Sequence, residues 1–99
     1  MSKITSITVI GRRWFDRVNG NTYHAGEVLV NGKHAATVEY QYGYGDQYIE
    51  TAAQLLDKAG LIDRAAYSFG GREPLWRYCE DHEIAYSAHV SDVSRKRDL

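Results

Sequence analysis

From Ile4 to Tyr42 apolar and polar residues tend to alternate, and from Tyr48 to Leu56 the repeat lengthens to that of a helix. Alternation with a period of two marks strands that turn one face to a core. Residues 4 to 17, rich in β-branched and aromatic types, predict a long first strand, with a bulge or bend expected where Gly11 interrupts it. Val18-Asn19-Gly20-Asn21 predicts a tight hairpin turn, and a second Asn-Gly at Asn31-Gly32 follows a strand near residues 22–30. A third strand near residues 34–42 would place Val38, Tyr40 and Tyr42 together on the core side. These three segments describe an antiparallel meander.

The change of period falls at Gly43-Tyr44-Gly45-Asp46, where the glycines allow a turn and Asp46 suits the positive end of a helix. Ile49, Ala52, Ala53 and Leu56 then recur at i, i+3, i+4 and i+7, and Gly60 predicts the helix end. Ile62 to Tyr67 read as a short helical turn and Ser68 to Gly71 as loop. Pro74 suits the first position of a second helix whose inward face is Leu75, Tyr78, Cys79 and His82. Ile84, Tyr86, Ala88 and Val90 return to a period of two, which predicts a fourth strand joining the meander. Residues 91–99 have no apolar repeat and are expected to fray, with 94–99 as a flexible basic tail. The expected fold class is α+β: a three-stranded antiparallel meander, two helices and a fourth strand, with both helices on one face of the sheet.

Ninety-nine residues suit one domain, 1–99, and one compact core. The apolar share is ordinary, no segment is apolar enough to span a membrane, and the start lacks the apolar run of a secretion signal, so the expected location is the cytoplasm. A lone cysteine, Cys79, excludes an intramolecular disulfide and reads as a small buried apolar residue rather than a nucleophile. The formal net charge of -1 excludes a general duplex-binding surface.

Composition changes the picture in one respect. The chain has eight tyrosines and two tryptophans against two phenylalanines, and tyrosine, apolar in body and polar at the tip, suits both recognition surfaces and thin cores. The four histidines lack metal-ligand spacing; His24 and His34 lie on neighbouring strands across a short turn without a third ligand nearby. Asp46, Glu50, His24 and Tyr44 gather acid and base groups around the turn, but no nucleophile motif or phosphate-cradling loop accompanies them. No catalytic, cofactor or metal site is therefore assigned.

Arg12, Arg13 and Arg17 surround Trp14 and Phe15, and Arg95, Lys96 and Arg97 end the chain. Basic and aromatic residues interleaved in this way are used for single-stranded nucleic acid. In a regular strand, however, Arg12 and Trp14 take one face and Arg13 and Phe15 the other, so no continuous platform is expected and one of the two aromatics should be core. The other reading is a protein-binding surface made of Arg12, Arg13, Trp14, Tyr23, Tyr42, Tyr44, Asp46 and Tyr48.

Trp14-Phe15-Asp16, Asn19 to His24, Tyr42-Gly43-Tyr44-Gly45 and Arg95 to Leu99 resemble a pattern in small accessory proteins of bacteriophages and prophages. In size and near-neutral charge the chain is also similar to phage anti-defence proteins, including anti-CRISPR proteins. That resemblance implies a non-enzymatic viral protein that occludes a host macromolecular complex, and it carries over no catalytic residue. The expected partner is a host or phage protein complex, with single-stranded nucleic acid as the alternative. Oligomeric state, a dimer included, is left open.

Overall fold

The computed structural model describes residues 3–43, 45, 47–66 and 71–99. It is an α+β fold in which β1 (Ser6–Asp16), β2 (Asn21–Val30) and β3 (Lys33–Tyr42) form the meander. The helices α1 (Gln47–Lys58) and α2 (Leu75–Asp81) follow, then β4 (Ala85–Val93) and a 3-10 turn, Lys96–Asp98. The sheet order is β3-β2-β1-β4, antiparallel except that β4 runs parallel to β1. β3 and β4 point the same way, so the chain between them must cross over one face of the sheet, and both helices lie in that crossover.

Beneath the helices Ile7, Val9, Val28 and Val38 are buried against Tyr48, Ala52, Ala53 and Leu56 of α1 and Leu75 and Cys79 of α2. Gly11 is neither bulged nor bent: its pairing with Gly26 on one side and Val90 on the other continues the register of β1 without a break. Its function is to make room. A Cβ there would collide with Cδ2 of Tyr48, whose ring fills the space above the strand.

The two Asn-Gly sequences behave differently. Asn31 and Gly32 have φ of 54° and 79° between the paired Val30 and Lys33, which is the left-handed geometry a two-residue hairpin needs. The Asn31 side chain also ties the start of β1, accepting from the Thr5 and Ser6 N–H groups at 2.7 and 3.1 Å and donating to the Lys3 carbonyl at 3.0 Å. In the first hairpin Asp16 pairs with Asn21, leaving residues 17–20 as the loop in place of a two-residue turn. The Asp16 carboxylate organises this longer loop by accepting from the N–H groups of Val18 and Asn19 and from the Asn19 side-chain amide.

Helix α1 ends as its stripe predicts. Gly60 has φ 77°, its N–H donates to the Asp57 carbonyl, and the Leu61 N–H reaches back to Leu56. Pro74 stands one position earlier than expected, at the N-cap of α2. No helical turn forms over Ile62–Ala66. Ile62 instead enters the core and Arg64 is buried. The Arg64 guanidinium donates to Asp57 at 2.7 Å, to Glu50 at 3.0 Å and to the Glu73 carbonyl at 3.2 Å, binding this segment to both ends of α1. Burial works against its charge, yet the bonds to Glu50 and Asp57 outweigh that penalty and raise its pKa. The expected loop at Ser68–Gly70 and residue Tyr67 lie outside the described residues.

Candidate interaction surface

One face of the sheet carries both helices, and the other carries none. Which residues reach the helix-free face is set by β1 and by two irregularities in β3. Ile7, Val9 and Gly11 point to the helices, so Thr8, Ile10, Arg12 and Trp14 point away. Opposite Gly26 and His24 of β2 stand Val38 and Gln41 of β3, a step of two residues against a step of three. This bulge reverses the side on which later residues project. Val38 stays in the core, whereas Tyr40 and Tyr42 project from the open face, contrary to the alternation in the sequence. The second irregularity, at Ala35 between the partners of Val28 and Leu29, brings His34 opposite Leu29.

The result is a row of rings across three strands. Trp14 of β1 stacks on Tyr23 of β2 with centroids 5.9 Å apart and planes 24° apart. Tyr23 stacks on Tyr40 of β3 at 5.0 Å and 15°, and Tyr42 meets Tyr23 edge-on at 5.9 Å. Rings this close and this nearly parallel are offset-stacked, each covering part of its neighbour's face. Lys96 of the 3-10 turn lies 5.0 Å from the Tyr40 ring centroid, a cation-π contact. Where the sequence suggested a fraying end, Ser91–Val93 complete β4 and the chain then turns back over this face. Between that turn and the sheet lies an open groove of about 670 Å³ lined by Arg12, Ala25, Tyr40, Lys96, Arg97 and Leu99. Partial desolvation, with Tyr23 and the Asp16 carboxylate nearby, raises the pKa of the Tyr40 hydroxyl.

The sequence-derived contact residues separate cleanly. Arg12, Trp14, Tyr23 and Tyr42 come together on the open face, with Tyr42 57% exposed. Arg13 points to the helix side, where its guanidinium donates to Asp92 at 3.0 Å and to the Gly45 carbonyl at 3.1 Å, so it joins β1 to β4 and to the turn after β3. Tyr48 is a core residue, 3% exposed above Gly11. Tyr44 and Asp46 lie outside the described residues. Neither Trp14 nor Phe15 is core: Trp14 joins the ring row and Phe15 is 55% exposed on the other side of β1. Tyr40 was missed because nothing in Val38-Glu39-Tyr40-Gln41-Tyr42 marks the bulge. Trp76, exposed on α2, was legible, since Leu75, Tyr78 and Cys79 define the inward stripe and leave Trp76 outside it.

The acid-base residues disperse into structural roles. His24 is buried under α1, its Nδ1–H donating to the Gly43 carbonyl at 3.3 Å and its Nε2 lying 3.2 Å from the Thr51 hydroxyl. A side chain at Gly43 would collide with this ring, its Cβ 2.7 Å from His24 Cε1. His34 is exposed and bonds Thr37, so the two histidines do not approach each other. Glu50 is committed to Arg64. The Cys79 thiol is enclosed by the core, and burial pushes its pKa up to about 11, the state of an inert thiol. Among the described residues no three metal-ligating side chains converge, and no helix is long and apolar enough to cross a membrane. No family model matches the chain, and comparison with curated proteins and with solved structures finds no match.

Proposed function

We propose that this is a non-enzymatic binding protein that occludes a surface of a host macromolecular complex with the helix-free face of its sheet. The observation that carries the proposal is the ring row Trp14–Tyr23–Tyr40, flanked by Tyr42 and Arg12. Exposed aromatic area is costly in water, about 25 cal/mol for each Å² that a partner would cover, and Tyr, Trp and Arg are the residues that dominate binding energy at protein interfaces. A phage origin and an anti-CRISPR-like action enter through the sequence resemblance, and the protein's place of action would then be the host cytoplasm.

Single-stranded nucleic acid is the second reading, favoured by Arg12, Lys96 and Arg97 around the same groove. The stacking of the rings favours protein instead. Bases need free ring faces, and here Tyr23 is packed against both Trp14 and Tyr40.

Capture from a bacterial lysate tests the two readings. A defined protein complex is expected, weakened at least about tenfold by Trp14→Ala and by Tyr42→Ala but not by Phe15→Ala on the other side, with circular dichroism showing all three folded. A complex indifferent to Trp14, Tyr42 and Arg12 would remove the surface from consideration. A mobility shift of single-stranded oligonucleotide that weakens steeply with salt and disappears with Arg12→Ala would move the function to nucleic acid.

A further inference from the structure

The two edges of the sheet are built differently. The β3 edge is interrupted twice, by the irregularities opposite His24–Gly26 and Val28–Leu29, and it carries Lys33 and Glu39. Bulges and charges are the devices by which proteins prevent an edge from recruiting another strand. The β4 edge has no bulge and a single charge. All nine of its residues pair with β1 in one unbroken register, and it contains no proline, lysine or arginine. Its single acid, Asp92, is already paired with Arg13 at 3.0 Å. Among the described residues nothing pairs with the outer side of β4. A long, regular edge with unpaired backbone donors and acceptors is a template for strand addition.

We propose that a second copy of this chain adds to that edge, β4 against β4, antiparallel and related by a two-fold axis through His89. The argument for this occupant is self-complementarity, which a two-fold interface requires. Pairing centred on His89 sets Ser87 opposite Ser91, Ala88 opposite Val90, Ala85 opposite Val93 and Tyr86 opposite Asp92. No two acids meet, His89 alone faces its own copy on the axis, and small side chains face small or β-branched ones along most of the strand. Apolar surface lies beside the edge as well: Trp76 on α2, the helix packed on β4, is 54% exposed and shares a cavity of about 270 Å³ with Tyr86.

Such a dimer joins two four-stranded sheets into one. In-plane antiparallel pairing puts the axis normal to the sheet, so both helix layers lie on one side and both open faces on the other. The Trp14–Tyr23–Tyr40 row starts beside Val93 of β4 and runs across β2 to β3, away from the added strand, so a repetitive target would meet two such rows at once. The dimer stands or falls independently of what those rows bind.

The axis supplies the test, because residue 89 of one copy faces residue 89 of the other. His89 is exposed and lies opposite Ile10, so a charge there is compatible with the fold. Sedimentation equilibrium on the full chain should give twice the 11.2 kDa chain mass. His89→Lys and His89→Glu should each weaken the dimer at least about tenfold by opposing like charges, with unchanged circular dichroism, and mixing the two variants should restore a dimer. In the wild type, hydrogen exchange of the β4 amides should slow as concentration rises. A wild-type monomer at high micromolar concentration, or a dimer indifferent to both substitutions, would overturn the proposal. So would a monomer whose β4 amides become protected only when a different protein is added, which would assign the edge to a foreign strand.

Discussion

Strand β1 displays two surfaces that differ by a shift of one residue. On the helix side Ile7 and Val9 are fully buried and Gly11 lies under the Tyr48 ring, while on the open side Thr8, Ile10, Arg12 and Trp14 are only partly covered. The helix side is under steric and electrostatic constraint: its room is fitted to Tyr48, and its nearby charges, Arg13 and Arg64, are each held by named carboxylates. The open side packs through ring contacts at the surface, with Ala25 the one β2 residue buried on that face. The sheet is therefore a core on one face and an available surface on the other, and substitutions should separate the two.

The largest effect is expected at Arg64. Replacing it by alanine leaves Asp57, 13% exposed, and Glu50, 38% exposed, without their shared cation. Breaking a buried ion pair in this way should cost about 3 kcal/mol, read as a lower urea midpoint with unchanged slope; a loss near zero would mean that the network contributes little to holding the loop on α1.

A matched pair on β1 sharpens the contrast. Gly11→Ala forces a methyl group into the enclosed Tyr48 ring and should destabilise by about 2 kcal/mol through overpacking. Arg12→Ala, one residue further on the open face, should change stability by less than about 0.5 kcal/mol. Equal effects in thermal melts would show that the two faces are not mechanically distinct.

The smallest effect belongs to Asp16, at the exposed end of the hairpin. Hydrogen bonds to its carboxylate, the Asn19 side chain first, hold its pKa below the ordinary 3.8. A depressed folded-state pKa means a contribution that is complete above the unfolded value and is lost as pH falls through the lower folded one. Asp16→Asn should therefore lower stability at neutral pH and flatten its decline in acid, seen by comparing urea titrations at neutral pH and at pH values below 3.8. An identical acid profile for the two proteins would show that the loop bonds do not discriminate between the charged and neutral side chain.

Much of this architecture was legible in the chain. The 3.6-residue stripe Ile49, Ala52, Ala53, Leu56 marked α1, Gly60 marked its end, Asn31-Gly32 marked a two-residue turn and Cys79 read as core. Half of the site was legible too, since the parity of β1 assigns Arg12 and Trp14 to one face. The other half was not. Tyr40 and Tyr42 reach that face through a bulge defined by pairing with β2, and Tyr48 leaves it because Gly11 opens a place for its ring.

Sequence alone thus determined the order and type of the elements, because backbone preference and amphipathic period act over a few neighbouring residues. Only the tertiary structure decided that β4 lies parallel beside β1, that Asp57 and Glu50 share Arg64, and that aromatic residues from three strands form one row. Those outcomes depend on register and close approach between residues far apart in the chain, where a single extra residue in an edge strand exchanges core for surface.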